Sequence, residues 1–293
     1  MRHLYECPMR WADLDVLNHV NNVVYLDYLQ EARVDMLRTH APAPAGGLAG
    51  ARPGEGLVVA SHDITYLRSL QLRPRPVSIE CWVTQVRAAS FTMAYEIFDE
   101  VDGERTVYAR ATTVLTPFVF AEERPRRLTA AEREALAGYV EPTASEPALA
   151  GRESADGEPA EPASRYPLRV RFSDVDVYGH VNNVKYVEYY QEARVAMMGR
   201  LAAEVEDHGV VVVLARTQVE YRQPILFRSE PYEVLNWVTR LGSRSVTVES
   251  EIRDGDRVMS RARVVLVYLD PVTGRSAEPP PALRSRLEEV AGR

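Results

Sequence analysis

Two stretches of this chain carry the same set of carboxylates, imidazole and amides. Arg10–Met36 reads RWADLDVLNHVNNVVYLDYLQEARVDM, and Arg171–Met197 reads RFSDVDVYGHVNNVKYVEYYQEARVAM. At an offset of 161 residues, 17 of the 27 positions are identical, among them Asp13/Asp174, Asp15/Asp176, His19/His180, Asn21/Asn182, Asn22/Asn183 and Glu31/Glu192. A repeat confined to apolar residues would report architecture alone. This one repeats polar groups at fixed spacing, which points to a duplicated site.

The second acid of each pair, Asp15 or Asp176, stands just before a helical pattern. Asn22 or Asn183 follows seven residues later, in the expected first turn, where backbone N–H groups lack partners and the dipole is positive. A carboxylate beside an N–H that can hold an oxyanion is a minimal acyl-transfer site. Asp13 and Asp174 read as supporting groups that brace the loop through backbone N–H bonds. A helix N-terminus disfavours a protonated imidazole, so His19 and His180 suit a neutral role in orienting the loop or substrate. Asn18 and Gly179 tolerate the left-handed conformation of a tight turn, and the side chains of Asn21, Asn22, Asn182 and Asn183 are expected to cap it. Glu31 and Glu192 lie about two and a half helical turns further on and are expected to support the site or meet the other unit. No HxH or HExxH spacing, P-loop or GxGxxG occurs, so neither a metal nor a bound cofactor is expected.

The elements that must position these groups repeat as well. Val23–Arg38 and Val184–Arg200 read as helices: Tyr25, Leu29, Ala32 and Met36 recur with helical spacing, as do Tyr186, Tyr190, Ala193 and Met197. β-rich segments follow at 57–68, 76–87, 90–99 and 105–119, then at 210–222, 231–241, 244–253 and 257–269. Strands that follow one another through short turns, with one long helix per set, give an α+β class with antiparallel sheets. A turn-rich insert occupies 41–56 of the first copy. DEVDGER (99–105) predicts a longer hairpin than the corresponding DGDR (254–257), and Arg127–Val140 and Ala282–Val290 read as short closing helices. The expected domains are 1–140 and 165–293, joined by an acidic Pro/Ala-rich linker at 141–164 that cannot bury enough surface to order itself.

With 293 residues, 46% of them hydrophobic and 26% charged, the chain can build two cores. The formal charge of −7 is concentrated in 141–164, where six acids and one base give −5 and leave −2 for the rest. The net negative charge argues against nucleic acid as a partner, and its concentration in one segment leaves no strong global field to steer any partner. Cys7 and Cys81 form no framework and read as buried thiols. The opening residues lack an apolar leader segment, and no stretch is long enough to span a membrane, so a soluble cytoplasmic protein is expected.

The Asp-x-Asp…His-Val-Asn-Asn string, and GHVNNVKYVEYYQEAR (179–194) above all, resembles the hotdog-fold thioesterases of the 4-hydroxybenzoyl-CoA and long-chain acyl-CoA type. The resemblance spans both copies. It implies two tandem hotdog domains, each an antiparallel sheet wrapped around a central helix, packed as an internal pseudo-dimer. Further self-association stays open. It implies an acyl-CoA thioester hydrolase of fatty-acid metabolism, with Asp15 and Asp176 as catalytic carboxylates, by direct attack or through water. The backbone N–H groups of Asn22 and Asn183 would polarise the carbonyl. The second copy is also similar to plant acyl-ACP thioesterases. Those carry Glu or Cys after a Glu-Tyr-Arg run, whereas Glu220–Tyr221–Arg222 is followed here by Gln223–Pro224–Ile225. Carrier-protein substrates, a hotdog dehydratase or hydratase, and a non-catalytic acyl-CoA-binding protein are the alternative readings.

Overall fold

The computed structural model describes residues 1–40, 54–141, 161–203 and 209–292. The chain divides into two units, Met1–Gly151 and Arg152–Arg293. In the first, β1 (His3–Cys7) leads through a 3₁₀ turn at Trp11–Asp13 into α1 (Val24–His40). Strands β2 (Glu55–Tyr66), β3 (Val77–Val86), β4 (Phe91–Val101) and β5 (Glu104–Val119) follow, then β6 (Arg124–Pro125) and α2 (Ala130–Ala137). The second unit runs β7 (Ser164–Leu168), a 3₁₀ turn at Phe172–Asp174, α3 (Asn183–Ala202), β8 (Val211–Tyr221), β9 (Tyr232–Leu241), β10 (Ser245–Asp254), β11 (Arg257–Leu269) and α4 (Pro281–Val290).

Strand order is β1-β3-β4-β5-β2 in the first unit and β7-β9-β10-β11-β8 in the second, and neighbours pair antiparallel. The two units therefore share one topology. Each long helix lies against its own sheet, α1 on β1 and β3, α3 on β7 and β9. The buried side of α1 is broad, from Tyr25, Leu26, Tyr28 and Leu29 to Ala32, Arg33, Met36 and Leu37. That breadth is what a helix enclosed by a curved sheet requires.

The curvature has a local cause. The strand registers slip at Ala60 and Ala215, at Thr84 and Thr239, and at Tyr108 and Met259. These are matching positions of the two copies. A bulge adds one residue to one strand, bending it and increasing its twist. Three bulges at repeated positions curl both sheets alike, and no alternation pattern in the sequence announces them.

The β4–β5 and β10–β11 hairpins correct one expectation. Both close through two-residue loops, with Val101 opposite Glu104 and Asp254 opposite Arg257. Asp102 and Gly103 both take positive φ (53° and 78°), the geometry that favours Asp-Gly in such loops. The extra length of the first copy sits in the strands, not in the turn. The helices also extend beyond the expected ends, to His40 and Ala202, while α2 is shorter than Arg127–Val140. Most of the 41–56 insert and of the 141–164 linker lies outside the described residues.

Candidate active site

In both units the motif folds into a narrow hairpin. Leu14 bridges Val20 antiparallel, and Val175 bridges Val181. The Asp15 N–H donates to the His19 carbonyl at 2.8 Å and the Asn21 N–H to the Asp13 carbonyl at 2.8 Å. The corresponding Asp176–His180 and Asn182–Asp174 bonds measure 2.8 and 2.9 Å. The hairpin pairs the backbone of the two acids with that of the histidine and the first Asn, at the entrance to the helix. Its tip is left-handed, φ 59° at Asn18 and 80° at Gly179.

Asp15 Oδ1 accepts the N–H groups of Leu17 (2.9 Å) and His19 (3.2 Å), and Asp176 Oδ1 accepts that of Tyr178 (2.8 Å). Among the described residues no donor reaches Oδ2 of either acid. Each carboxylate is thus held by one oxygen and presents the other. Asp13 and Asp174 are differently placed. Oδ2 of Asp13 accepts the Arg10 N–H (2.7 Å) and the Tyr28 hydroxyl (2.5 Å); Oδ2 of Asp174 accepts the Arg171 N–H (2.8 Å) and the Tyr189 hydroxyl (2.7 Å).

The tyrosines are the part sequence reasoning passed over. Tyr66 and Tyr221, on strands β2 and β8, donate their hydroxyls to the carbonyls of Asn22 and Asn183, both at 2.9 Å. Their rings meet Tyr25 and Tyr186 edge to face at 5.2 and 5.0 Å. Tyr25 and Tyr186 in turn accept the N–H groups of Leu70 and Ile225, whose carbonyls take the N–H groups of Val20 and Val181. The repeat keeps tyrosine at these positions, where packing alone would admit phenylalanine; that hints at a use for the hydroxyl but not at its partner.

Asn21 and Asn182 cap the helices, each Oδ1 accepting an N–H at 3.3 Å. Asn183 is the first residue of α3, whereas Asn22 precedes α1 by two residues and its side chain caps nothing. Glu31 and Glu192 are exposed. Arg73 and Arg75 pair with Asp99, Arg222 with Glu220 and Arg228 with Asp254, and Arg244 donates to the Ser276 hydroxyl. Arg68 and Arg240 are exposed, and no described residue pairs with their side chains. Burial pushes the Cys7 and Cys81 thiols up to about 12, which makes both poor nucleophiles. Among the described residues no three His, Cys, Asp or Glu side chains could hold a metal ion, and no helix is long and apolar enough to cross a membrane.

A long-chain acyl-CoA thioesterase, FadM, from Escherichia coli K12 is 27% identical over 130 residues, which span 42% of this chain and 96% of FadM. Two solved structures share the fold along nearly the whole chain. One, provisionally assigned as an oleoyl thioesterase from Lactobacillus plantarum, has a TM-score of 0.72 at 17% identity and covers 91% of this chain and 96% of its own. The other, the 12:0-ACP thioesterase of Umbellularia californica, has a TM-score of 0.68 at 17% identity and covers 94% and 97%. Each unit has the hotdog architecture. The family model of the thioesterase-like superfamily matches residues 9–136 and 170–287, and the chain belongs to that superfamily.

Proposed function

We propose that this thioester hydrolase cleaves acyl-CoA to a free acid and CoA, with Asp15 and Asp176 as the catalytic carboxylates of two sites. The observation that carries the proposal is the free Oδ2 of each acid on a hairpin that enters a helix, found twice in one chain. The scissile carbonyl lies at the helix N-terminus, where the Asn22 or Asn183 N–H takes the charge that develops on oxygen. The Asp carboxylate either attacks the carbonyl carbon or removes a proton from the attacking water. In both routes water supplies the hydroxyl of the acid, and its remaining proton leaves with the thiolate. Asp13 and Asp174 hold the hairpin; His19 and His180, opposite the catalytic acids, orient it. Arg68 and Arg240 are cations available to CoA phosphates. FadM, named for long-chain acyl-CoA, supports CoA rather than a carrier protein as the thiol.

We place the chemistry in the cytoplasm and the units in an internal pseudo-dimer. A tethered homologous copy is held at roughly millimolar effective concentration, which favours the pairing. The test of function is release of free thiol from short, long, branched and aromatic acyl-CoAs by Asp15→Asn, Asp176→Asn and the double variant. Asn keeps the Oδ1 acceptor and alters only the presented oxygen, so the double variant folds and loses on the order of 10²–10⁴ in rate. Retention of more than a tenth of wild-type turnover refutes the assignment. The second site is expected to be the more efficient, since Gly179 enters the left-handed turn without the Cβ that Asn18 carries. An equal or larger loss in Asp15→Asn reverses that ranking.

A further inference from the structure

The Asn22 amide stands apart from the capping amides beside it. Its Nδ2 is buried and has no hydrogen-bond partner. Its backbone N–H likewise meets no acceptor among the described residues. Only its carbonyl is engaged, by the Tyr66 hydroxyl at 2.9 Å. One residue thus brings two unpartnered donors to the head of α1, where the helix dipole already favours negative charge.

We infer that the Asn22 carboxamide is a second donor to the thioester carbonyl oxygen in the first unit, beside the N–H of the same residue. The inference rests on the acyl-thioester reading and extends it from a backbone group to a side chain. A buried amide donor without a partner is unfavourable, and that cost is relieved when an acceptor arrives. Because no hydrogen bond holds the amide, turning it toward a bound carbonyl breaks none. The bond from Tyr66 fixes the peptide from which both donors project. As the carbonyl carbon becomes tetrahedral its oxygen gains charge, so a donor aimed there strengthens more in the transition state than in the ground state. The step needs no further reactant: the amide keeps its protons throughout.

Two measurements on the full chain test this. In the Asp15→Asn/Asp176→Asn background, an acyl-CoA labelled with ¹³C at the thioester carbonyl binds without turnover, and difference infrared spectroscopy reads its C=O stretch. The bound band lies below that of the free thioester. Adding Asn22→Ala, which keeps the backbone N–H, returns part of the band toward the free position. In the Asp176→Asn background, which isolates the first site, Asn22→Ala lowers kcat on the order of 10²-fold and leaves KM within threefold. A bound band unmoved by Asn22→Ala, or a kcat within twofold of the parent, overturns the second-donor role and leaves the acyl-CoA reading standing. Failure of the double Asp variant to bind the thioester overturns both. Circular dichroism melts of each variant separate loss of fold from loss of the donor.

Discussion

Each motif hairpin is fastened to its helix by a single phenol–carboxylate hydrogen bond, and Tyr189→Phe removes that bond without opening a cavity. Asp174 is only 6% exposed, and its Oδ2 would keep the Arg171 N–H alone. Burial, and then the Asp174 carboxylate, hold the Tyr189 hydroxyl protonated far above the ordinary phenol range, so it donates throughout the neutral range. A hydrogen bond to a charged group contributes about 1.5–3 kcal/mol. If the hairpin opens locally, that difference appears as faster amide exchange at Arg171 and Asn182, whose N–H groups are bonded to Asp174. The expected acceleration is roughly 10- to 150-fold. Tyr28→Phe acts on Asp13, which is only half-buried, so water replaces part of the lost bond and the acceleration at Arg10 and Asn21 is smaller. Hydrogen exchange followed by NMR reads all four amides. An acceleration under twofold at Arg171 and Asn182 in Tyr189→Phe would refute the claim that this bond holds the hairpin closed.

Two further outcomes follow from burial and charge. Cys7 and Cys81 are buried, with thiols pushed up to about 12, so an aromatic disulfide reagent at pH 8 labels neither in the folded chain and both in denaturant; rapid labelling of the folded chain contradicts this. Burial raises the Glu132 carboxyl, but the Arg126 guanidinium and the Thr129 N–H pull it further the other way, to below its ordinary 4.5. A depressed folded-state value stabilises above the unfolded-state value and is lost as pH falls through the folded one. The melting difference between wild type and Glu132→Gln is therefore largest near neutrality and shrinks below about pH 4.5; a constant difference from pH 7 to 3 counts against it.

The helices and strands were legible because their apolar residues recur at helical or alternating spacing, and the repeat let one copy check the other. The shape of the sheet was not. Ala60 and Ala215 look like ordinary strand residues, and nothing in their type reveals that each is the extra residue of a bulge. Hairpin length misled for a related reason, since DEVDGER extends two strands before turning at Asp102–Gly103. At the site, the Asp, His and Asn positions could be read from their types and spacing. The Tyr66 and Tyr221 bonds could not, because a strand residue 44 positions from Asn22 becomes its neighbour only when the sheet closes over the helix.

What the copies share and what they do not have separate physical causes. In both hairpins the Asp and Asn side chains bond to backbone N–H groups, a use that suits short polar side chains. The interiors beneath the helices share apolar residues such as Ala32/Ala193, Met36/Met197 and Ile97/Ile252 but differ in their polar groups. At matching positions the first unit has His62, Cys81, Tyr95 and Thr113, and the second has Thr217, Asn236, Ser250 and Val264, all but Val264 polar or thiol and all buried. His62 meets Thr113 at 2.9 Å, and burial together with Arg33 keeps the imidazole neutral. Asn236 instead joins Ser164 (2.9 Å) and Ser250 (2.7 Å). Exchanging His62, Thr113, Asn236 or Ser250 alone strands a buried donor or acceptor, at a cost of about 1–3 kcal/mol. These bonded partners therefore change together. The same hairpin thus stands over two different sets of buried polar groups, so its geometry does not depend on which of them lie beneath its helix.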